Sequence, residues 1–192
     1  CKERGGIFPP RTATPFHLLQ SAAPHVASEV ACIGHWVQVL EGKILEKCPA
    51  LFPRLPEQRD FTWRRKMAES LHALRGTLLE GKWDCAQVAA SEHCQEEPLR
   101  WQNLADLEAA YRKRLSKVGL QDLHDAKRKA AEAPDVRGVK RVILFSVPDS
   151  TSVIQQALLK LIEQEVLVQI VVFGPADGEA LFDEWGRPMP DK

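Results

Sequence analysis

The chain is 192 residues long, with 44% apolar and 27% charged residues, a balance that fits a globular fold with ample core, in one large domain or two small ones, and not a disordered segment. Lysine plus arginine and aspartate plus glutamate each total 26, so the whole-chain charge gives no hint of nucleic acid. No apolar run reaches the roughly 18 residues of a membrane helix and no signal peptide is visible, so a cytoplasmic location without a membrane partner is expected.

Charge is distributed unevenly along the chain. Residues 1–99 carry twelve charges of each sign, 100–141 eleven basic against six acidic, and 142–192 three basic against eight acidic. A basic middle beside an acidic end suggests a local field. The five cysteines fit no CxxC spacing and read as reduced thiols. The chain opens on Cys1 instead of methionine and ends in the proline-broken GRPMPDK, which suggests a piece of a longer protein.

In chain order, residues 1–13 pair glycines with prolines and read as a leading loop. Thr14 and Pro15 then form an N-cap and first-turn pair for a helix carrying Phe16, Leu18 and Leu19. After Pro24, the spacing of Val30, Ile33, Val37, Leu40 and Ile44 predicts a helix over 26–45. The three prolines of Cys48 to Pro56 make a connection. Phe61, Met67, Leu71, Leu74 and Leu78 predict a helix over 57–79 closed by Gly81. A short helix follows from Asp84, its own cap, to about His93. Glu97 and Pro98 open the strongest helix, in which Trp101, Leu104, Glu108, Tyr111, Leu115 and Val118 share one face, all but Glu108 apolar or aromatic. Gly119 ends it, and a last helix runs over 122–133 before Pro134. This helical subdomain, 14–134, precedes an α/β segment, 139–192. There, RVILF (Arg141 to Phe145) and VLVQIVVF (Val166 to Phe173) are unbroken apolar runs of the kind buried on both faces of a parallel sheet. Between them Val153, Ile154, Ala157, Leu158, Leu161 and Ile162 recur at helical spacing over 150–164. Strand, helix and strand in this order predict a parallel βαβ unit.

Candidate chemistry is sparse. Cys32 with His35, and His93 with Cys94, lack the second ligand pair that zinc spacing requires, and read as structural or surface residues. No GxSxG, GxxxxGK[ST] or GxGxxG is present, and the six histidines have no recognisable partners. Asp149 follows a buried strand at its carboxyl end, where α/β folds place ligand groups; the plainer role for Asp149 or Ser150 is to cap the next helix. The basic runs 64–66, 112–114 and 127–129 read either as a phosphate track or as solvated helix faces. The tryptophans, Trp36 and Trp101 above all, read as core.

Three stretches together resemble one known family. RWQNLADLEAAYRKRLSKVGLQDLHDA (Arg100 to Ala126) is similar to the helical segment of AddB-type subunits of bacterial helicase-nucleases, with its RW..L..LE..Y...L...G..D...A pattern. The βαβ unit resembles the stretch that replaces the helicase Walker B strand and its successor. LFDEWGRP (Leu181 to Pro188) matches a segment after the second strand. The resemblance implies part of a superfamily-1, P-loop helicase-like sheet preceded by a helical insert equivalent to subdomain 1B. It also implies inactivation, because an active Walker B strand ends in two acids that hold magnesium and activate water. Here Ser146 and Val147 stand at those positions, and the nearest carboxylate, Asp149, lies beyond them. The expectation is therefore a noncatalytic fragment that holds no cofactor or metal, from an ATP-dependent exonuclease whose PD-(D/E)xK nuclease lies downstream. DNA and a partner helicase subunit are the expected partners, with Arg112, Arg114, Lys127 and Arg128 as DNA contacts. Two other readings stand beside it: a protein–protein scaffold with no DNA contact, and a small α/β enzyme with its site near Asp149.

Overall fold

The computed structural model describes residues 10–20, 23–92, 96–135, 138–175 and 178–189. Among them the chain is mixed α/β, a run of helices followed by a strand, a helix and a strand. The first predicted helix is only a 3-10 turn, Pro15–Leu19, in which Leu19 alone is buried and Thr14 makes no side-chain cap bond. Helix α1 spans Glu29–Leu40, capped by Ser28, and does not reach residue 45. The chain passes through Glu41 and Gly42 into a separate 3-10 turn, Lys43–Lys47. The buried face of α1 is Cys32, Trp36, Val37, Val39 and Leu40, whereas Val30, expected in the core, is 80% exposed in the first turn.

Helix α2, Phe61–Glu80, starts where Asp60 accepts the Trp63 N–H at 2.8 Å. That cap leaves Phe61, another expected core residue, exposed at the first position. Helix α3, Cys85–Ala89, has a complete capping box from Asp84 and Gln87 and stops well short of the expected end. Helix α4, Pro98–Lys117, buries Leu104, Leu107, Glu108, Tyr111 and Leu115; Val118 is its C-cap, just past the helix, and exposed. Gly119, at φ +71°, makes the left-handed turn that ends it. Helix α5, Leu123–Glu132, is capped by Asp122. The main core joins α1 to α4, and its centre is Trp36 stacked on Tyr111 with centroids 4.1 Å apart and planes 2° from parallel.

Strand β1 (Arg141–Phe145), helix α6 (Ser152–Glu163) and strand β2 (Leu167–Val171) follow. The strands pair in parallel, Arg141 opposite Leu167 and Phe145 opposite Val171, in a sheet of two strands. A second core gathers Val153, Ile154, Ala157, Leu158 and Leu161 of α6 against Leu144 and Val166, and reaches into the helical part through Leu19, Leu79 and Ala131. Trp185 packs on it from a turn that Asp183 closes by accepting the Trp185 and Arg187 N–H groups, each at 2.9 Å. Gly186 is required in that turn, because φ is +75° and a Cβ there would come within 2.7 Å of Val172 Cγ1.

The expectation of strands buried on both faces is not met. α6 and the Trp185 turn cover one face, while Ile143, Phe145, Leu167, Val171 and Phe173 project from the other and are exposed. The physical reason is the missing layer: among the described residues no helix or loop packs on that side.

Candidate functional site

Two places collect the residues of interest. The first is an ion cluster where α2, α4 and α5 meet. Arg75 of α2 and Glu108 of α4 both lie on apolar helical faces, and their side chains are 4% and 3% exposed. Arg75 Nε donates to Glu108 Oε1 at 2.6 Å and Nη2 to Asp125 Oδ1 at 2.9 Å. Its Nη1 lies 2.5 Å from Asp122 Oδ1, a contact of opposite charges with the N–H not aimed at the oxygen. The guanidinium carbon also stands 5.3 Å from the Tyr111 ring centroid.

Each carboxylate has further donors. Glu108 Oε2 accepts the Cys85 N–H at 3.1 Å. Asp122 Oδ1 accepts the N–H groups of His124 and Asp125 at 2.8 and 3.0 Å, and Oδ2 accepts the Tyr111 hydroxyl at 2.6 Å. Asp122 thus caps α5 and receives Arg75 with one side chain. Burial pushes its pKa up, but the Arg75 charge and the Tyr111 hydroxyl outweigh that and hold it down at about 2. Burial pushes the Cys85 thiol up to about 12, helped by the Glu108 charge, so it is a proton-bearing core residue and no nucleophile. Beside the cluster, the rings of His72 and His124 face each other with centroids 4.5 Å apart. Burial lowers both pKa values, that of His124 to about 4 against the opposing pull of Asp122, so both rings are neutral at pH 7.

The four residues expected on DNA are divided by this geometry. Arg112 grips Asp125 with two bonds, Nε to Oδ2 at 3.0 Å and Nη2 to Oδ1 at 2.9 Å, and also approaches Glu108 at 3.4 Å. Arg128 donates to the Trp83 carbonyl at 2.7 Å and pairs with Asp84 at 3.5 Å. These two arginines are paired with acids at the rim of the cluster, their side chains 34% and 25% exposed. Arg114 is exposed on α4, bonded only sideways to Gln38 Oε1 at 2.6 Å, and Lys127 is half-buried on α5. Lys113, Lys117 and Lys129 are exposed on the same two helices.

The second place is the carboxyl end of β1. Ser146 is exposed there in a left-handed conformation, φ 49°, and its N–H donates to the Val171 carbonyl at 2.8 Å, extending the ladder by one bond. Val147 packs against the second core. Both side chains therefore occupy the strand tip where the resemblance puts acids, and Asp149 is exposed on the loop beyond. Neither Asp149 nor Ser150 caps α6: the N-cap is Thr151, which makes no side-chain cap bond. Ser150 is buried instead and its backbone carbonyl accepts from Gln155 Nε2 at 3.0 Å. One surface groove lies over Arg112, Asp125, Arg128 and Glu132 and another along α6 over Lys82, Ser152, Lys160 and Trp185; Asp149 lines neither.

Cys32 Sγ points at Asp122 Oδ2, 3.7 Å away, and not at His35, and His93 with Cys94 lies outside the described residues. Among the described residues no group of three or more His, Cys, Asp or Glu side chains is placed to hold a metal. Sequence reasoning missed Arg75 as the shared partner of Glu108 and Asp122. The signal was there: Glu108 sits at an apolar position of α4, and Arg75 lies one turn from Leu71 and Leu79 on the buried face of α2. A charge on an apolar stripe asks for an opposite charge on the facing stripe.

No family model matches the chain, and neither the curated proteins nor the solved structures contain a match to it.

Proposed function

We propose that the chain is a noncatalytic, helicase-like segment of a DNA double-strand-break repair helicase-nuclease subunit, with the helices as a 1B-like insert and the βαβ unit as part of a larger P-loop sheet. It acts by contact, with DNA or with a partner helicase subunit, and not by turning over ATP. The observation that carries this reading is the tip of β1: a parallel strand runs into Ser146 and Val147, and neither side chain can hold magnesium or polarise water as a carboxylate does. The open face of the sheet agrees with it, since parallel strands are ordinarily covered on both sides.

Contact with DNA would run through the cations of α4 and α5, the exposed Lys113, Arg114 and Lys117 and the half-buried Lys127, and would be independent of sequence and weakened by salt. The pairing of Arg112 with Asp125 and of Arg128 with Asp84 favours a second reading, a scaffold that meets only protein. Fluorescence anisotropy with a labelled duplex bearing a single-stranded tail separates the two. The DNA reading expects binding that falls with salt and is lost when Lys113, Arg114, Lys117 and Lys127 are changed to glutamate. Binding unaffected by those changes removes the DNA track. ATP hydrolysis above background that disappears in Asp149→Asn would overturn the noncatalytic reading itself.

A further inference from the structure

Trp83 is the tryptophan that neither core explains. Of the five, Trp36 is buried, and Trp63, Trp101 and Trp185 pack against one core or the other. Trp83 joins neither and is 44% exposed. A ring of this size is among the side chains that gain most from being sealed from water, so its place on the surface asks for a reason.

The ring is exposed, but its backbone is fixed. In the turn after α2 the Trp83 N–H donates to the Leu78 carbonyl at 2.8 Å, and Lys82 takes a left-handed φ of 64°. Gly81 lies against the indole, since a Cβ there would stand 3.0 Å from Trp83 Cδ1. The turn is tied to both helices that carry the surface cations. Arg128 of α5 donates to the Trp83 carbonyl at 2.7 Å, and Asp84, the next residue, stands 3.8 Å from Arg112 of α4 and 3.5 Å from Arg128.

The surroundings suit a nucleotide better than an apolar partner. Lys82 beside the ring and Lys129, next to Arg128 on α5, are exposed. Asp84 is half-buried and answered by the two arginines, which leaves Glu80, at the end of α2, as the exposed acid nearest in the chain. Lysines beside an open aromatic face are what single-stranded nucleic acid meets on its binding proteins: the cations follow the phosphates and the ring takes an unpaired base, whichever base it is. A duplex offers no such base without unstacking it.

We infer that Trp83 is a stacking platform for one unpaired base, so that the nucleic acid held beside α4 and α5 is single-stranded DNA. This deepens the DNA reading above and rests on it.

The test is fluorescence anisotropy on the full chain with two labelled probes, a single-stranded oligothymidine and a blunt duplex of equal length. Trp83→Ala should weaken binding to the single strand about tenfold, the loss of one stacked base, and Trp83→Phe should bring it back to within about threefold. Duplex binding should not change in either variant. The bonds at Trp83 are made by its backbone, so both variants keep them, and an unchanged melting temperature checks the fold. Equal loss on both probes overturns the platform and leaves the cation track standing. So does no loss on either while charge reversal at Lys113, Arg114, Lys117 and Lys127 still abolishes binding. Failure of the native chain to bind either probe removes the DNA reading, and the platform with it.

Discussion

Arg75 and Phe145 make an instructive pair. A charged residue on an apolar helical stripe is sealed from water, and an aromatic residue in an apolar strand is left 60% exposed. In the helical part the buried charges are answered within the described chain: Arg75 meets three carboxylates, and those carboxylates also take the Tyr111 hydroxyl, backbone N–H groups and Arg112, while Trp36 Nε1, His72 Nδ1 and both ring nitrogens of His124 are buried without a hydrogen-bond partner. In the sheet the apolar burial is left half done, with one face covered.

Changes that strike the sealed region should cost most. Arg75→Met leaves Glu108 and Asp122 buried without their cation, and the expected loss is about 3–5 kcal/mol, read from urea unfolding. If the loss is under about 1 kcal/mol, as for a surface pair, the cluster is not the keystone claimed for it. Tyr111→Phe keeps the stack on Trp36 and removes only the hydroxyl given to Asp122; about 1.5–3 kcal/mol is expected for a bond to a charged acceptor. A value near zero would mean that Arg75 and the α5 amides satisfy Asp122 alone.

Acid should act on the same region in two windows. His124 has its folded pKa lowered to about 4 from 6.5, so between those values the unfolded chain binds more protons and stability falls as the pH falls. Asp122, held at about 2 against 3.8, adds a further loss below pH 3.8 by the same sign. A melting temperature that drops between pH 7 and 5 in the native chain, and drops less in His124→Gln, is expected; identical profiles would contradict the burial of that ring. The groups around it, Asp122, His72, Arg75 and Lys127, remain in the variant. The smallest effect belongs to the sheet: Phe145→Ser should change stability by no more than about 1 kcal/mol, since its side chain is 60% exposed and meets Phe173 edge to face. A large loss would mean that the face is already covered.

How much of this was legible in the residues follows from where the forces are local. Capping by Asp84, the stop at Gly119, the βαβ order and the parallel pairing were readable because each depends on near neighbours or on one apolar period. The early end of α1 was harder: Ile44 keeps the helical spacing, but the chain passes Gly42 and re-forms as a 3-10 turn, and spacing alone does not register that break. Val30 and Phe61 were misplaced because first-turn residues project away from a core that begins one turn later. The arginines of the basic middle looked alike in sequence, yet Arg112 and Arg128 are paired with acids, and Arg114 is exposed beside Gln38. What separates them is the acid each faces across 13 residues or more, as Arg112 faces Asp125, a relation that no local pattern contains. The strands announced two buried faces, and among the described residues only one is covered.

Hydrogen–deuterium exchange of the intact chain tests the contrast between the two regions most directly. Amides of Arg141–Phe145 and Leu167–Val171 should exchange through openings far easier than global unfolding, while those of Leu104–Leu115 on the sealed face of α4 should exchange only when the whole molecule unfolds. Equal protection of the strands and of α4 would contradict the account, because a sheet that slow to open could not be waiting for its second layer.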